Sequence, residues 1–550
     1  MNKYQLDRVL QMPHGETLPF SLSHHPSRRE DFDFRPDGYV YLRLRAESGI
    51  IRSGEVVTLR NEQPETSLLV HRYGDSNQEV WESVSLELEE GCEYYFRLQT
   101  ITGQALFGAT GLQASLPKEA RFRVAELEPS TVPAWARGAA FYQIFPDRFH
   151  RGREPKNAPS YGLEPWGSDP TATGFKGGTL AGITEKLGYL ERLGINALWL
   201  NPVFSSPSNH RYDTTDFFAI DQRLGTADDL GLLVREAHAR GIKVILDGVF
   251  NHVSEEHLFF KDVVERGRES PYWDWFRVRR WPIEEHSDDS YATWWGHGHL
   301  PQLDLDNPQV QQYFLDVGVH WLEEHDIDGW RLDVAGEVPL DFWRRFRSVI
   351  RAAKSDAYLL AEVWGDGRNF LQGDSFDATM NYSFRRIVLE FLCGGLDASK
   401  SAAFLNRLYY RYPREIAEAQ YNLLGSHDVS RLSHDLGGDL HLVELAFVIQ
   451  CGYPGSTALY YGDEIAMAGE GDPGCRRAFP WTDAGDAGSQ PLRDAVARFL
   501  ALRKEEPVLR NGLVHCTATD NDTLLIKRSL ANDSVTLSVN RATGCYDWLR

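Results

Sequence analysis

The sequence predicts an α/β protein: a (β/α)8 TIM barrel with an inserted subdomain after strand 3, an N-terminal β-sandwich and a small C-terminal β domain. Three observations carry this. Between Trp135 and about Glu505, eight short apolar runs alternate with amphipathic helical stretches. The flanks on either side show period-2 patterning instead. One connection, from about Val253 to Leu300, is too long for a plain strand-to-helix loop. On pattern alone a doubly wound sheet is the rival for the middle section. A chain of 550 residues also exceeds one core, so two or three domains are expected.

In the first segment, residues 1–125, Val40, Leu42 and Leu44 alternate with polar neighbours, as do Val84, Leu86 and Leu88, and then Phe122 and Val124. Such runs between Gly, Asp and Asn turns predict the sandwich. Glu128-Pro-Ser-Thr-Val-Pro-Ala134 predicts a linker.

The catalytic-domain candidate covers 135–505. Its runs are Phe141–Phe145, Ala197–Phe204, Lys243–Phe250, Asp328–Val334, Tyr358–Trp364, Ala378–Tyr382, Tyr421–Asp428 and Ala458–Glu464. Helices are predicted between them at Gly182–Leu193, Asp228–Arg240 and Val310–His325. In the last of these, Val310, Tyr313, Phe314, Val317 and Trp321 make one apolar stripe at i, i+3, i+4 spacing. The insertion is predicted over about 253–300. The tail, 506–550, returns to β patterning at Leu524-Leu-Ile526 and at Val535, Leu537 and Val539.

Composition narrows the function. The net charge of -21, with no Lys/Arg run, argues against nucleic acid and anionic membrane surfaces. No stretch of about 18 apolar residues suggests a membrane span. The opening residues, Met1 to Glu16, lack a signal-peptide pattern. The six cysteines form no C-x-x-C pair, so separate reduced thiols and a cytoplasmic location are expected. Trp273, Trp275, Trp281, Trp294 and Trp295 crowd a polar stretch. Flat rings with a polar handle suit the faces of sugars, although core packing explains most aromatic residues.

Polar residues at the C-terminal ends of barrel strands line the active site of such a fold. Here Asp247 and His252 stand at the end of the third run, Arg331 and Asp333 of the fourth, Glu362 and Trp364 of the fifth, and His427 and Asp428 of the seventh. Any one of these charges could belong to a structural ion pair, but four charged strand ends on one rim point to chemistry. Two carboxylates on opposite faces of a glycosidic bond are what a retaining glycosidase needs. Arg331 beside Asp333 is expected to lower its pKa and suit it as nucleophile. Glu362, between Ala361, Val363 and Trp364, is expected to be the raised general acid/base. Asp428 is expected to bind the hydroxyls next to the reacting carbon.

The motifs Asp247-Gly-Val-Phe-Asn-His252, Gly329-Trp-Arg-Leu-Asp333, Glu362-Val-Trp364 and Gly425-Ser-His-Asp428, in that order, resemble the α-amylase superfamily, glycoside hydrolase family 13. The resemblance implies a catalytic triad of Asp333, Glu362 and Asp428. It implies sugar contacts from His210, Tyr212, Asp247, His252, Arg331, Gly336, Glu337, Trp364 and His427. The N-terminal β domain, Phe141-Tyr-Gln-Ile-Phe-Pro-Asp-Arg-Phe149 and Ser206-Pro-Ser-Asn-His-Arg-Tyr-Asp-Thr214 look like the neopullulanase, cyclomaltodextrinase and maltogenic amylase subgroup. That subgroup implies a starch-binding-module-like N-domain, a homodimer and a diet of α-glucan oligosaccharides. The sequence departs from the subgroup at Gly336, where Asn is usual, and at Leu300-Pro-Gln-Leu-Asp304. The loop His150-Arg-Gly-Arg-Glu-Pro-Lys-Asn157 carries cations where the family has calcium ligands, so this site is expected to be lost and no cofactor to be required, with calcium left open as the alternative. Asn251 is a second candidate calcium ligand, with a structural hydrogen bond as the favoured reading. The function expected is hydrolysis of short or cyclic maltodextrins and pullulan, α-1,4 with some α-1,6. Transfer to another sugar, or non-catalytic glucan binding, are the alternatives.

Overall fold

In the computed structural model the described residues are 22–550, apart from 61, 102, 114, 125–131, 156–161, 285 and 482–489. The opening segment, most of the expected linker and Asn157 lie outside the described residues.

The N-terminal part is antiparallel throughout, with nine strands between Phe32 and Arg123. Its longest strand, Gln63–Gly74, serves two partners. Its first half pairs with Glu55–Arg60, and its second half with Glu79–Ser83. The sheet thereby doubles over one core, where Leu42, Leu44 and Trp81 meet Val56, Tyr94 and Phe96. Alternating burial at Val40, Leu42 and Leu44 is realised in the strand Val40–Glu47. The run at Val84, Leu86 and Leu88 differs from expectation. Leu86 and Leu88 are buried, but Val84 is exposed and the strand stops at Ser83. Beyond it only the bridge Val40–Leu86 remains, so alternation resumes at Leu86 and Leu88 without a continued ladder.

The barrel strands are Ala140–Ile144, Ala197–Leu200, Lys243–Gly248, Gly329–Leu332, Tyr358–Ala361, Ala378–Thr379, Tyr421–Leu423 and Ser456–Tyr460. All pair in parallel, in the order six-five-four-three-two-one-eight-seven. The bridge Met380–Tyr421, with Asn381 N–H donating to the Tyr421 carbonyl at 2.9 Å, joins the sixth strand to the seventh and closes the ring. This closure removes the doubly wound alternative. The strands are mainly apolar on both faces because both faces are covered, with Gln143, Asp247 and Arg331 among the polar exceptions inside them. Phe141, Trp199, Ile245, Leu360 and Leu423 fill the interior, while Leu198, Val244, Trp330 and Leu359 pack under the helices.

The stripe helix runs Pro308–His325 and starts on an Asn307 cap. It buries Val310, Phe314, Val317 and Trp321, with Tyr313 only half-buried. The expected helix Gly182–Leu193 is instead two, Leu180–Glu185 and Leu187–Leu193. Thr184 Oγ1 donates to the Leu180 carbonyl at 3.0 Å, a back-bond that bends helices, and Lys186 leaves helical geometry. The insertion after the third strand holds the helix Leu258–Arg266 and several short turns. It is laced to the barrel rim by bridges His252–Gln302 and Phe276–Leu303.

After the last barrel helix, four antiparallel strands from Leu513 to Leu549 form the tail sheet. Asn406 holds it to the barrel by paired bonds to the Cys516 carbonyl and N–H, both 2.8 Å. The N-terminal sheet is tied on through Arg43 and Arg45, which donate to the carbonyls of Tyr412 (2.6 Å) and Tyr410 (2.9 Å).

Candidate active site

The C-terminal ends of the third, fourth, fifth and seventh strands converge on one guanidinium. Arg331 is wholly buried. Its Nη1 donates to Asp247 Oδ1 at 2.9 Å and to Asp333 Oδ1 at 2.7 Å. Its Nη2 lies 2.8 Å from Glu362 Oε2. Arg331 falls inside the fourth strand, while Asp333 and Glu362 each stand one residue past their strand ends. Strand pleating puts residues two apart on one side, which is why Arg331 and Asp333 meet.

Glu362 is more polar in its surroundings than its sequence neighbours suggest. The Val334 N–H donates to Oε2 at 2.9 Å and the Trp364 indole to Oε1 at 2.9 Å. Trp364 is itself clamped flat on Tyr382, ring centres 3.8 Å apart at 6°. Val334 reaches Glu362 from a left-handed backbone (φ 38°), a strained state for a β-branched residue.

A second network forms the closed end. Tyr212 OH donates to Asp247 Oδ2 at 2.9 Å and lies 2.6 Å from His427 Nε2. Tyr212 and His427 stack at 2°, with centres 5.2 Å apart. Gln143 Nε2 approaches His427 Nδ1 at 2.8 Å, so Nδ1 accepts and Nε2 carries the proton. His427 Nε2 is also 3.2 Å from Asp428 Oδ1, and Arg476 Nη2 is 3.7 Å from the same oxygen. His210 stacks on Tyr212 and accepts its backbone N–H at 3.1 Å. His252 takes Asn251 Nδ2 at Nδ1 (3.3 Å), leaving its buried Nε2 without a partner among the described residues. Gly336 and Glu337 lie just beyond Asp333, and Glu337 Oε1 accepts from the Trp295 indole at 2.7 Å.

One cation serving three buried carboxylates sets the electrostatics. Burial pushes Asp333 well above the usual carboxylate range. Arg331 opposes this, while Glu362 and Asp247 reinforce it. The expectation that Arg331 would depress Asp333 is therefore not met, because burial, reinforced by Glu362 and Asp247, outweighs the pull of Arg331. Burial raises Asp247 to about 6 against the pull of Arg331. Asp428 rises to about 7, through burial first and Glu362 second. Burial lowers His252 to about 3 and keeps His427 neutral.

The sequence-named residues thus meet, but the tryptophans divide. Trp275 is buried in the insertion's packing, and Trp273 and Trp281 pair edge-on with each other. Only Trp294 and Trp295 extend to the site. Reasoning from the sequence missed Gln143, Trp199, Tyr382 and Arg476. Trp199 donates to Asp247 Oδ2 at 3.1 Å, from inside an apolar run that gave no sign of it.

The loop after the first strand is held by side-chain cations. Lys176 is fully buried, its Nζ 2.9 Å from the carbonyls of Pro165 and Ser168, 2.6 Å from Ser168 Oγ and 3.0 Å from Glu164 Oε2. Arg151 donates to the carbonyls of Lys176 and Glu164 at 2.9 and 3.1 Å. Asn251 Oδ1 accepts from Gln302 at 3.1 Å, a structural bond. Among the described residues, no cluster of three or more His, Cys, Asp or Glu could hold a metal.

Residues 143–505 match the family described as alpha amylase, catalytic domain. The chain belongs to the α-amylase family. The stretch covers all eight barrel strands except the first three residues of strand one. A cyclomaltodextrinase of Geobacillus thermopakistaniensis (strain MAS1) is 42% identical over 414 residues, spanning 74% of this chain and 70% of that one. A solved cyclomaltodextrinase superposes with a TM-score of 0.89 at 34% identity, covering 94% of this chain and 91% of that one. The cyclic α-maltosyl-(1→6)-maltose hydrolase of Arthrobacter globiformis, in complex with that sugar, gives 0.72 at 40% identity over 74% and 92%. This member of the amylase family is a glycoside hydrolase by that membership, with relatives named cyclomaltodextrinase, neopullulanase and maltogenic amylase.

The raised Asp428 gives a pH test in this member of the α-amylase family. Its folded pKa of about 7 lies above the ordinary value of 3.8. Stability from its neutral form is complete below the lower value and lost as pH climbs through the upper one. Asp428→Asn is expected to melt with the parent near pH 4 and above it at pH 8. A difference on the order of 1–3 kcal/mol is expected, discounted because 26% of the side chain reaches solvent. A pH-independent offset in calorimetry would place the proton elsewhere.

Proposed function

We propose that this chain hydrolyses α-glucosidic bonds in short or cyclic maltodextrins and pullulan with retention, through a glycosyl ester on Asp333. The observation that carries this reading is the shared guanidinium. Asp333 and Glu362 sit on its two terminal nitrogens at 2.7 and 2.8 Å. Close spacing suits a nucleophile and an acid; an inverting pair needs a wider gap for water.

In this reading Asp333 attacks the anomeric carbon with the oxygen that Arg331 does not hold. Glu362 gives its proton to the departing glycosidic oxygen, then takes one from water as the ester is hydrolysed. The burial that raises Asp333 favours its neutral ester once formed. As positive charge grows on the sugar ring, the crowded carboxylates stabilise it, and their mutual repulsion falls. Asp428 and His427 accept and donate to the ring hydroxyls beside the reacting carbon. The unpartnered His252 Nε2 offers a further donor, and Tyr212 gives an apolar ring face.

Support for cyclic and short substrates comes from the relatives' names, and an α-1,6 bond is part of the Arthrobacter enzyme's ligand. No metal enters the scheme. Among the described residues, the donor set in the loop after the first strand does not fit calcium, because Lys176 and Arg151 already take its carbonyl oxygens. We read the protein as a cytoplasmic homodimer, supported by its N-terminal β domain and by six unpaired cysteines. Among the described residues no helix is long and apolar enough to cross a membrane.

Proton NMR of the first-formed product tests retention: the α-anomer is expected, and initial β-anomer would defeat the mechanism. Glu362→Gln is expected to lose roughly 10³-fold or more on maltotriose but far less on an aryl glucoside with an activated leaving group. Equal losses on both would remove Glu362 as the acid. Products from β-cyclodextrin, pullulan and soluble starch, measured beside the mass in solution, report substrate preference, and those from maltotriose separate hydrolysis from transfer: chains longer than the maltotriose supplied mean transfer.

A further inference from the structure

A short line of stacked rings leaves the buried centre and ends in solvent. His252, 1% exposed, stacks on Trp294 at 5.2 Å and 25°. Trp294 stacks on Trp295 at 5.4 Å and 19°. Trp295 is 60% exposed, and its backbone sits at φ 51° and ψ 31°. An exposed tryptophan in left-handed geometry is disfavoured twice, by hydration of its ring and by backbone strain. Such strain persists where surrounding structure imposes it, and it gathers at ligand clamps. Here Glu337 helps to impose it through the 2.7 Å bond from the indole N–H. Beside Glu337, a Cβ placed on Gly336 would meet nothing within 4 Å. The loop carrying the nucleophile therefore leaves an open space, and the insertion sets a flat ring near it.

We infer that Trp295 is a saccharide-stacking residue on the leaving-group side of the scissile bond, held in position by Glu337. This rests on the hydrolytic reading above. The side of the cut follows from the neighbours. Tyr212, His427, Asp247 and Arg331 wall the buried end, whereas the ring line runs from His252 out to solvent. Glu337 is close enough to Glu362 to feel its charge, and Glu362 protonates the departing sugar. A pyranose in that space has an apolar face for the indole and hydroxyls for the Glu337 carboxylate. Trp295 then supplies an outer contact in a place where residue 336 has no side chain to offer.

The test pairs two substrates. Maltotriose needs the leaving-group side; α-glucosyl fluoride expels only fluoride and needs the buried end alone. Trp295→Ala is expected to lower kcat/KM on maltotriose about 10- to 50-fold and to change the fluoride by less than about twofold. Trp295→Phe, which keeps a ring, is expected to recover most of the loss. Equal losses on both substrates would show a merely structural role and overturn the inference. So would unchanged maltotriose hydrolysis in Trp295→Ala. A wild-type protein inert on both substrates would overturn the proposed hydrolysis and this inference with it, whereas an active wild type without the selective loss overturns the inference alone.

Discussion

Asp333→Asn is expected to reduce turnover of maltotriose by roughly 10⁴-fold or more while the protein stays folded. That corresponds to about 5.5 kcal/mol or more of lost transition-state stabilisation. The amide cannot form the glycosyl ester, and no other described carboxylate has both its place on Arg331 Nη1 and a single hydrogen bond. Asp247 is committed to Arg331, Tyr212 and Trp199, and Glu362 to Arg331, Val334 and Trp364. Folding should not suffer, because burial already disfavours the charge that the substitution removes. The melting temperature at pH 8 is expected to equal or exceed that of the parent. Wild-type-like rates would end the nucleophile assignment, and loss of the folded state would show that Asp333 holds the strand ends together.

Lys176→Met is expected to give the largest stability loss away from the site, about 3–5 kcal/mol. The ammonium is fully buried and faces two carbonyls, a hydroxyl and a carboxylate. Methionine fills the volume but donates nothing, so those oxygens lose their partner in a place that water reaches poorly. The parent protein is expected to melt at the same temperature with and without a calcium chelator, since side-chain cations bind the loop. Denaturant melts of both proteins, with and without chelator, check the pair. A stable Lys176→Met variant, or a parent that loses stability to chelator, would return the loop to calcium.

Much of the architecture was legible because buried parallel strands leave a strong mark. Eight apolar runs at regular intervals correspond to eight barrel strands, and the overlong third connection to the inserted subdomain. Where the reading slipped, the cause was local. Thr184's hydroxyl bends what looked like one helix, and the ladder ends at Ser83, which leaves Val84 exposed while Leu86 and Leu88 stay buried. The site residues were legible for a different reason: charges at the ends of apolar runs are costly and therefore conspicuous. Trp199, Gln143 and Tyr382 were not, since a polar edge on an otherwise core-like residue leaves no trace in the pattern.

The amino-acid order alone determined the barrel, the family and the identity of the acids that meet at its rim, because periodicity and strand-end charges are local properties. Only the tertiary structure decided how those acids share one guanidinium, and that burial lifts Asp333 against the pull of Arg331. It also decided which two of five tryptophans approach the centre and that Lys176 occupies the oxygen cage of the first loop. These depend on distances between residues far apart in the chain, and on the burial that closing the barrel imposes.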